Sequence, residues 1–461
     1  MDSANQGLCP HHLRGEGITR CLAIWGTILL AGVVAIAGCA PHPRVAPLTS
    51  EQSQLNVESF EQVWDTIRDK HWDPDLGGLD WQAVHDSLLP KVAAAETMPA
   101  ARGVMKQMIA ELDQSHFGII PASLYEDVDQ AIEGGPRDGT AGIGVRVVGG
   151  QALVTSVEPG SPAEERGVRP GWEVLEVGDF EMRARLAALG EEFAGKTTRD
   201  LIMARAVLSR LAGDAGDSLG VLFRDGEDRS VERRVPLVVP KGNRIGLGNL
   251  PKQYVWIETE RLAEGVGYIA FNFFLDPGRV MSAFNEAMTA FMDAPGVIID
   301  LRGNIGGIGV MAMGMAGWLI EEQGLRLGTM YTRGGEIKFT VTPRPQTYAG
   351  PVAVLIDGLS ASTSEILAGG LKDLGRVRTF GTPTAGAALP SLIEKLPNGD
   401  GFQYAIANYI SEGGEALEGA GMIPDEMCPP EREALLGGSD PALDAALAWI
   451  REGGVLGAGM E

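Results

Sequence analysis

Between about residues 241 and 435, short apolar runs of strand character alternate with segments of helical period, and no other feature restricts the fold as much. Strands read at YVWIE (254–258), VGYIAF (266–271), GVIIDL (296–301), VAVLI (352–356) and VRTFG (377–381), with helices at 279–294, 308–322 and 362–375. Strands spaced by helices imply an α/β sheet covered by those helices. A last helix, DPALDAALAWIREGG, takes Asp440 as N-cap with Pro441 at its first helical position.

Two different patterns precede this core. ESFEQVWDTIRDKHW, DWQAVHDSLLPKVAAA and PAARGVMKQMIAELD carry apolar residues at three-to-four spacing, as at Phe60, Val63, Trp64 and Ile67 and again at Val104, Met108, Ile109 and Leu112. They predict a helical bundle over about residues 53–125. Residues 138–240 read instead as a small β module, its short strands punctuated by Gly and Pro, with one long helical portion at 183–211. The chain is thus a multidomain α/β protein, closing with a helix and tail over 436–461.

At 461 residues and 44% hydrophobic content the chain can bury large cores. A formal net charge of −23 argues against nucleic acid, which needs clustered Lys and Arg. Near the N-terminus, Arg14 and Arg20 precede an uncharged apolar run (21–38) that stops at Cys39 and gives way to a Pro-rich polar stretch with the character of a tether, 40–52. The run could serve as a retained membrane anchor, but at about 18 residues it is near the lower limit for spanning. Ile36-Ala37-Gly38-Cys39 resembles a bacterial lipoprotein signal, which implies residues 1–39 as signal, lipid on Cys39 and, with Ala40 next, an outer-membrane position facing the periplasm. Cys9 and Cys21 would leave with the signal, so Cys428 alone would stay free and no intramolecular disulfide is expected. His71, His85 and His116 have no paired spacing, so neither a metal nor another cofactor is expected.

Chemistry concentrates in VLIDGLSASTSEILAGGLKDLG (354–375), where an apolar strand breaks at Asp357-Gly358 and Ser360, Ser362, Thr363 and Ser364 crowd the start of a helix. Such hydroxyls either cap the helix or supply a nucleophile beside backbone N–H groups that steady an oxyanion. A second segment, IIDLRGNIGGIGVM (298–311), ends a strand in Gly303, Gly306, Gly307 and Gly309, which open turns closed to other residues.

These motifs carry two resemblances. AGIGV (141–145) and GSPAEERGVRPGW (160–172) resemble a PDZ domain, implying that the backbone N–H groups of Gly142, Ile143, Gly144 and Val145 receive a peptide's terminal carboxylate. A spacer without a ligand is the other reading of that module. The order of helical bundle, PDZ-like module and α/β core, together with SASTSEILAGGLKDLGR, resembles the C-terminal-processing (tail-specific) serine peptidases, whose core is a ClpP/crotonase-like sheet with flanking helices. The resemblance implies Ser362 as nucleophile and an oxyanion hole from Gly306 or Gly307 with the N–H of Thr363. The best-known branch has a lysine base, but PTAGAALPS puts Ala387 at that position. Lys372 lies ten residues along the helix, about 15 Å away, and Lys395 sits in a polar turn. The lysine-free branch, which includes tricorn-type peptidases and retinoid-binding relatives, implies His116 in ELDQSHFG as base, with Ser115 bridging it to Glu418 in EALEGAGMIPDE; Glu415 is a neighbouring candidate. The implied activity is a serine endopeptidase acting on peptide or protein substrates, with their C-terminal tails as the expected point of recognition. The rival is a non-catalytic peptide or hydrophobic-ligand carrier on the same fold, and an acyl hydrolase is disfavoured by the lack of a G-x-S-x-G elbow.

Overall fold

In the computed structural model, residues 46–122 and 138–455 are described, and from Pro47 onward they belong to one compact unit. Cys39, the apolar run before it and residues 123–137 lie outside the described residues.

The core sheet has six strands in the order Ile257–Arg261, Gly267–Phe271, Val297–Asp300, Val352–Ile356, Arg378–Gly381 and Glu426–Met427. The first pair is antiparallel and the others are parallel. Side chains alternate between the faces, which explains why the strands read as continuous apolar runs. Ile269, Val297, Ile299, Val354 and Ile356 pack under the helices Pro277–Ala290, Gly309–Ala316 and Thr363–Asp373. Ile298, Ala353, Leu355 and Phe380 pack on the other face against Ala446, Trp449 and Ile450 of the helix Pro441–Arg451. Asp440 caps that helix as its sequence predicts, its carboxylate accepting the Leu443 N–H at 3.3 Å.

Several boundaries differ from expectation. YVWIE is two strands, because the chain turns at Trp256, whose N–H leaves the ladder for the Asn272 side chain; Leu250–Val255 pairs with Asn243–Leu247 instead. The helix from residue 309 stops at Ala316 with Gly317 as its C-cap, where a Cβ would stand 2.4 Å from the Thr342 carbonyl oxygen. The helical portion 183–211 is two helices, Met182–Glu192 and Arg199–Arg210. The first helix begins at Ser50, inside the stretch read as a tether, because Thr49 caps it reciprocally with Gln52.

The three N-terminal helices, Ser50–Lys70, Trp81–Ala93 and Met98–Ala110, do not close a core by themselves. Phe60, Val63, Met105 and Met108 share theirs with Leu396, Phe402 and Tyr404. The connection is a strand: Gly118–Ile120 pairs antiparallel with Gly401–Ala405. Arg102 reinforces it through two 2.8 Å bonds to the fully buried Asp400 carboxylate. This docking carries His116, two residues before the strand, to the core.

Residues 138–240 build a sheet in the order Ile143–Val148, Gln151–Val157, Glu173–Val177, Ser218–Arg224, Ser230–Pro236 around their own apolar cluster. Strand Ile143–Val148 is at its edge, with no strand on its other side among the described residues.

Candidate active site

Four hydroxyls crowd the strand-to-helix corner, and three have structural partners. Ser360 Oγ donates to the Leu301 carbonyl (2.8 Å), Thr363 Oγ1 to the Gly307 carbonyl (2.8 Å) and Ser364 Oγ to the Asn304 carbonyl (2.8 Å). They stitch the corner to the glycine-rich loop after Val297–Asp300. Ser362 Oγ alone of the four donates to no acceptor among the described residues, and Ser362 lines a cavity of about 1590 Å³. Its backbone sits at φ 56° and ψ −118°, a strained conformation for a non-glycine residue.

Surrounding groups over-determine that strain. The Ser362 N–H is shared between the Ala387 carbonyl (2.7 Å) and Glu365 Oε2 (2.9 Å). Glu365, fully buried, also accepts from Thr384 Oγ1 (2.6 Å) and from the N–H groups of Gly386 (2.9 Å) and Ala387 (3.1 Å). Burial pushes its carboxyl up to about 7 against the pull of those four donors. Nothing in the motif reveals that this glutamate pins the segment 384–387. Asp357 does comparable work on the other flank, accepting from the N–H groups of Gly303 (2.9 Å), Leu359 (3.0 Å) and Ser360 (3.1 Å) and from Arg146 Nε (2.6 Å), a residue of the β module. Burial favours its protonated form, but Arg146 and the N–H donors outweigh burial and hold its pKa below the ordinary value.

Of the two glycines, Gly306 packs against the nucleophile corner: at φ 94°, a Cβ there would stand 2.7 Å from Ser362 Cβ and 2.8 Å from Thr363 N. Its N–H is engaged by Asn304 Oδ1 at 3.0 Å. The N–H groups of Gly307 and Thr363 have no such side-chain partner, and both residues line the Ser362 cavity.

His116, Ser115 and Glu418 line that same cavity. Ser115 Oγ donates to Glu418 Oε2 at 2.7 Å and lies 2.7 Å from His116 Nδ1, while the Ser115 N–H donates to Glu418 Oε1 at 2.7 Å. A hydroxyl has one proton; given to the carboxylate, it leaves Ser115 Oγ as the acceptor of an Nδ1–H, so the Nε2 lone pair is free. Burial lowers the His116 pKa to about 4, with Arg205 adding to the effect, so the ring is neutral at neutral pH. Like Ser362, His116 is held at positive φ, 59°. Glu415 is exposed and bonded within its own turn through Ser411, whereas Glu418 reaches Ser115. Lys372 is turned away to Asp425 and the Ile423 carbonyl. Ala387 is only 4% exposed, clustered with Ala361 and Ala385 beneath Leu201.

Gly142, Ile143, Gly144 and Val145 fall elsewhere. Gly142, Ile143 and Gly144 line a separate cavity of about 790 Å³ between the β module and the core, together with Arg146, Lys241 and Trp256. Val145 is fully buried under the module's sheet.

A serine hydroxyl that donates to no acceptor among the described residues, a neutral imidazole and two N–H groups without side-chain partners on one cavity are the parts a serine-type hydrolytic site uses. Residues 265–427 match the family model described as Peptidase family S41 and residues 56–110 that of the Tricorn protease C1 domain. The chain is a serine-type peptidase, and its core over residues 265–427 is similar to family S41. It is 24% identical over 409 residues to a carboxyl-terminal-processing protease of Picosynechococcus sp., covering 87% of this chain and 89% of that protein. Carboxy-terminal processing protease CtpA of Bacillus subtilis is 24% identical, covering 70% of this chain and 62% of that one. The fold is shared with the photosystem II D1 C-terminal processing protease (TM-score 0.55, 20% identity, 88% of this chain and 98% of that one) and with mature CPAF (TM-score 0.59, 15% identity, 88% and 99%).

Proposed function

We propose that this chain is an endopeptidase of the C-terminal-processing kind that uses a histidine base. The observation that carries the reading is the Glu418–Ser115–His116 chain of 2.7 Å contacts on the cavity that Ser362 lines. His116 Nε2 takes the Ser362 Oγ proton as the oxygen attacks the peptide carbonyl. The N–H groups of Gly307 and Thr363 receive the developing oxyanion, with Gly306 excluded by its bond to Asn304. The imidazolium then protonates the leaving amine, and water activated by the same nitrogen releases the acyl group from Ser362. Glu418, through Ser115, steadies the imidazolium while it exists.

The module 138–240 acts as a PDZ-like tail receptor, a reading supported by the open edge of Ile143–Val148 beside the interdomain cavity. The protein is held on the outer membrane, facing the periplasm, by lipid on Cys39, a reading that rests on the Ile36-Ala37-Gly38-Cys39 sequence. A fluorophosphonate probe tests the chemistry: labelling should disappear in Ser362→Ala and in His116→Ala. No labelling and no cleavage of casein or tail peptides by the wild type would instead identify a ligand carrier. Incorporation of labelled palmitate, lost in Cys39→Ser, tests the anchor.

A further inference from the structure

We infer that Arg205 reads the substrate: it receives a carboxylate of the bound peptide and thereby strengthens His116 as a base. The inference rests on the reading of His116 as the base.

Arg205 belongs to the helix Arg199–Arg210 of the β module, which forms one wall of the cavity holding Ser362 and His116. Its side chain is exposed, and among the described residues nothing accepts a hydrogen bond from its guanidinium. The other charged groups on the cavity wall are Lys106, Asp113, Lys196, Glu418 and, when protonated, His116. Both carboxylates are already engaged: Asp113 pairs with Lys196, and Glu418 accepts from Ser115 and from the Ala388 N–H at 3.1 Å. Among the described residues, three cations facing two carboxylates give the wall one net positive charge, in a chain of formal net charge −23.

An unpaired guanidinium in a sheltered cavity acts on its neighbours. Desolvation by the surrounding cavity wall disfavours the charged form of Arg205, and its charge disfavours protonation of His116. During catalysis His116 must become an imidazolium, so with Arg205 unpaired the proton transfer is opposed. A carboxylate hydrogen-bonded to the guanidinium cancels that field where it does most harm. The occupant is therefore a peptide carboxylate, from an acidic side chain or from the free C-terminus. Its binding couples recognition to reactivity without moving the catalytic groups.

Three matched peptides separate the sources: one with an acidic side chain and an amidated end, one with a neutral side chain and a free carboxyl end, and one neutral at both. At least one carboxylate peptide should show a kcat/KM about tenfold above the neutral peptide, the scale of a charged hydrogen bond. The preference should fall to within about twofold in Arg205→Met, persist in Arg205→Lys and fade with rising salt in the wild type. For the preferred peptide, the acid limb of kcat should lie at higher pH than that of kcat/KM, and the gap should close in Arg205→Met. Equal cleavage of all three peptides, a preference that survives Arg205→Met, or one indifferent to salt overturns the inference. Fluorophosphonate labelling lost in His116→Ala alongside any of these results leaves the base standing and removes only Arg205's role; labelling that survives His116→Ala removes both.

Discussion

Replacing Ser115 by alanine tests the relay most directly, because the hydroxyl has two partners and the backbone has its own. Ser115 Oγ contacts His116 Nδ1 and Glu418 Oε2, each at 2.7 Å. The Ser115 N–H still holds Glu418 Oε1 at 2.7 Å, and the Ala388 N–H still holds Oε2 at 3.1 Å, so Glu418 stays in place when the hydroxyl is removed. What disappears is the acceptor for Nδ1–H and the path by which the carboxylate steadies the imidazolium. A hydrogen bond to a charged group contributes about 1.5–3 kcal/mol, and because this one is charged only in the transition state the loss falls on kcat, about 10- to 150-fold. Substitutions that leave packing and backbone bonds intact change stability by about 1 kcal/mol or less. Peptide hydrolysis should therefore lose kcat with KM little altered, while urea unfolding keeps nearly the wild-type midpoint. A loss below about threefold, or one matched by unfolding of the protein, would refute the relay.

Other consequences follow from the same geometry. Since the folded His116 pKa is about 4, below its ordinary 6.5, the native state binds fewer protons than the unfolded one between these values. This contribution to stability is complete above the unfolded pKa and declines as pH falls toward 4, so urea midpoints should drop across that window more steeply in wild type than in His116→Gln. Glu365 acts with the opposite sign: its pKa is raised to about 7, so its contribution is present at low pH and lost as pH rises through 7, a slope that Glu365→Gln should flatten. Gly306→Ala forces a Cβ to 2.7 Å from Ser362 Cβ at a φ of 94°; fluorophosphonate labelling should vanish and stability fall by about 1–3 kcal/mol, and a labelled variant with normal rates would contradict the packing. Arg102→Ala strands the fully buried Asp400 carboxylate and should cost about 3–5 kcal/mol in denaturant titration, with a loss under about 1 kcal/mol counting against the buried pair.

Much of the site was legible in the sequence because it sits where local pattern is strongest. Strand-then-glycine at Val297–Gly307 and strand-then-hydroxyls at Val352–Ser364 mark two loops at the ends of neighbouring parallel strands, and parallel pairing of Asp300 with Leu355 brings the loops together. The six-strand sheet was less complete on the page: Glu426–Met427 is a two-residue strand, too short to show a period. Lys395, expected in a polar turn, ends the strand Ser391–Lys395, whose partner Gly401–Ala405 receives Gly118–Ile120 from the far N-terminal part of the chain, a partnership that leaves no local mark. Arg205 is one more basic residue on an amphipathic helix until that helix is placed on the cavity wall.

Apolar alternation and turn chemistry act over a few residues, so sequence alone determined the class of fold, the segment bearing the candidate hydroxyl and the lack of a lysine at 387. Which donors remain unspent was decided only when distant segments met: Asn304 engaging the Gly306 N–H, Glu418 holding Ser115 while Glu415 stays exposed, and Arg205 without an acceptor among the described residues. Hydrogen-bond satisfaction is a property of atoms in space, and the order of residues along a chain does not contain it.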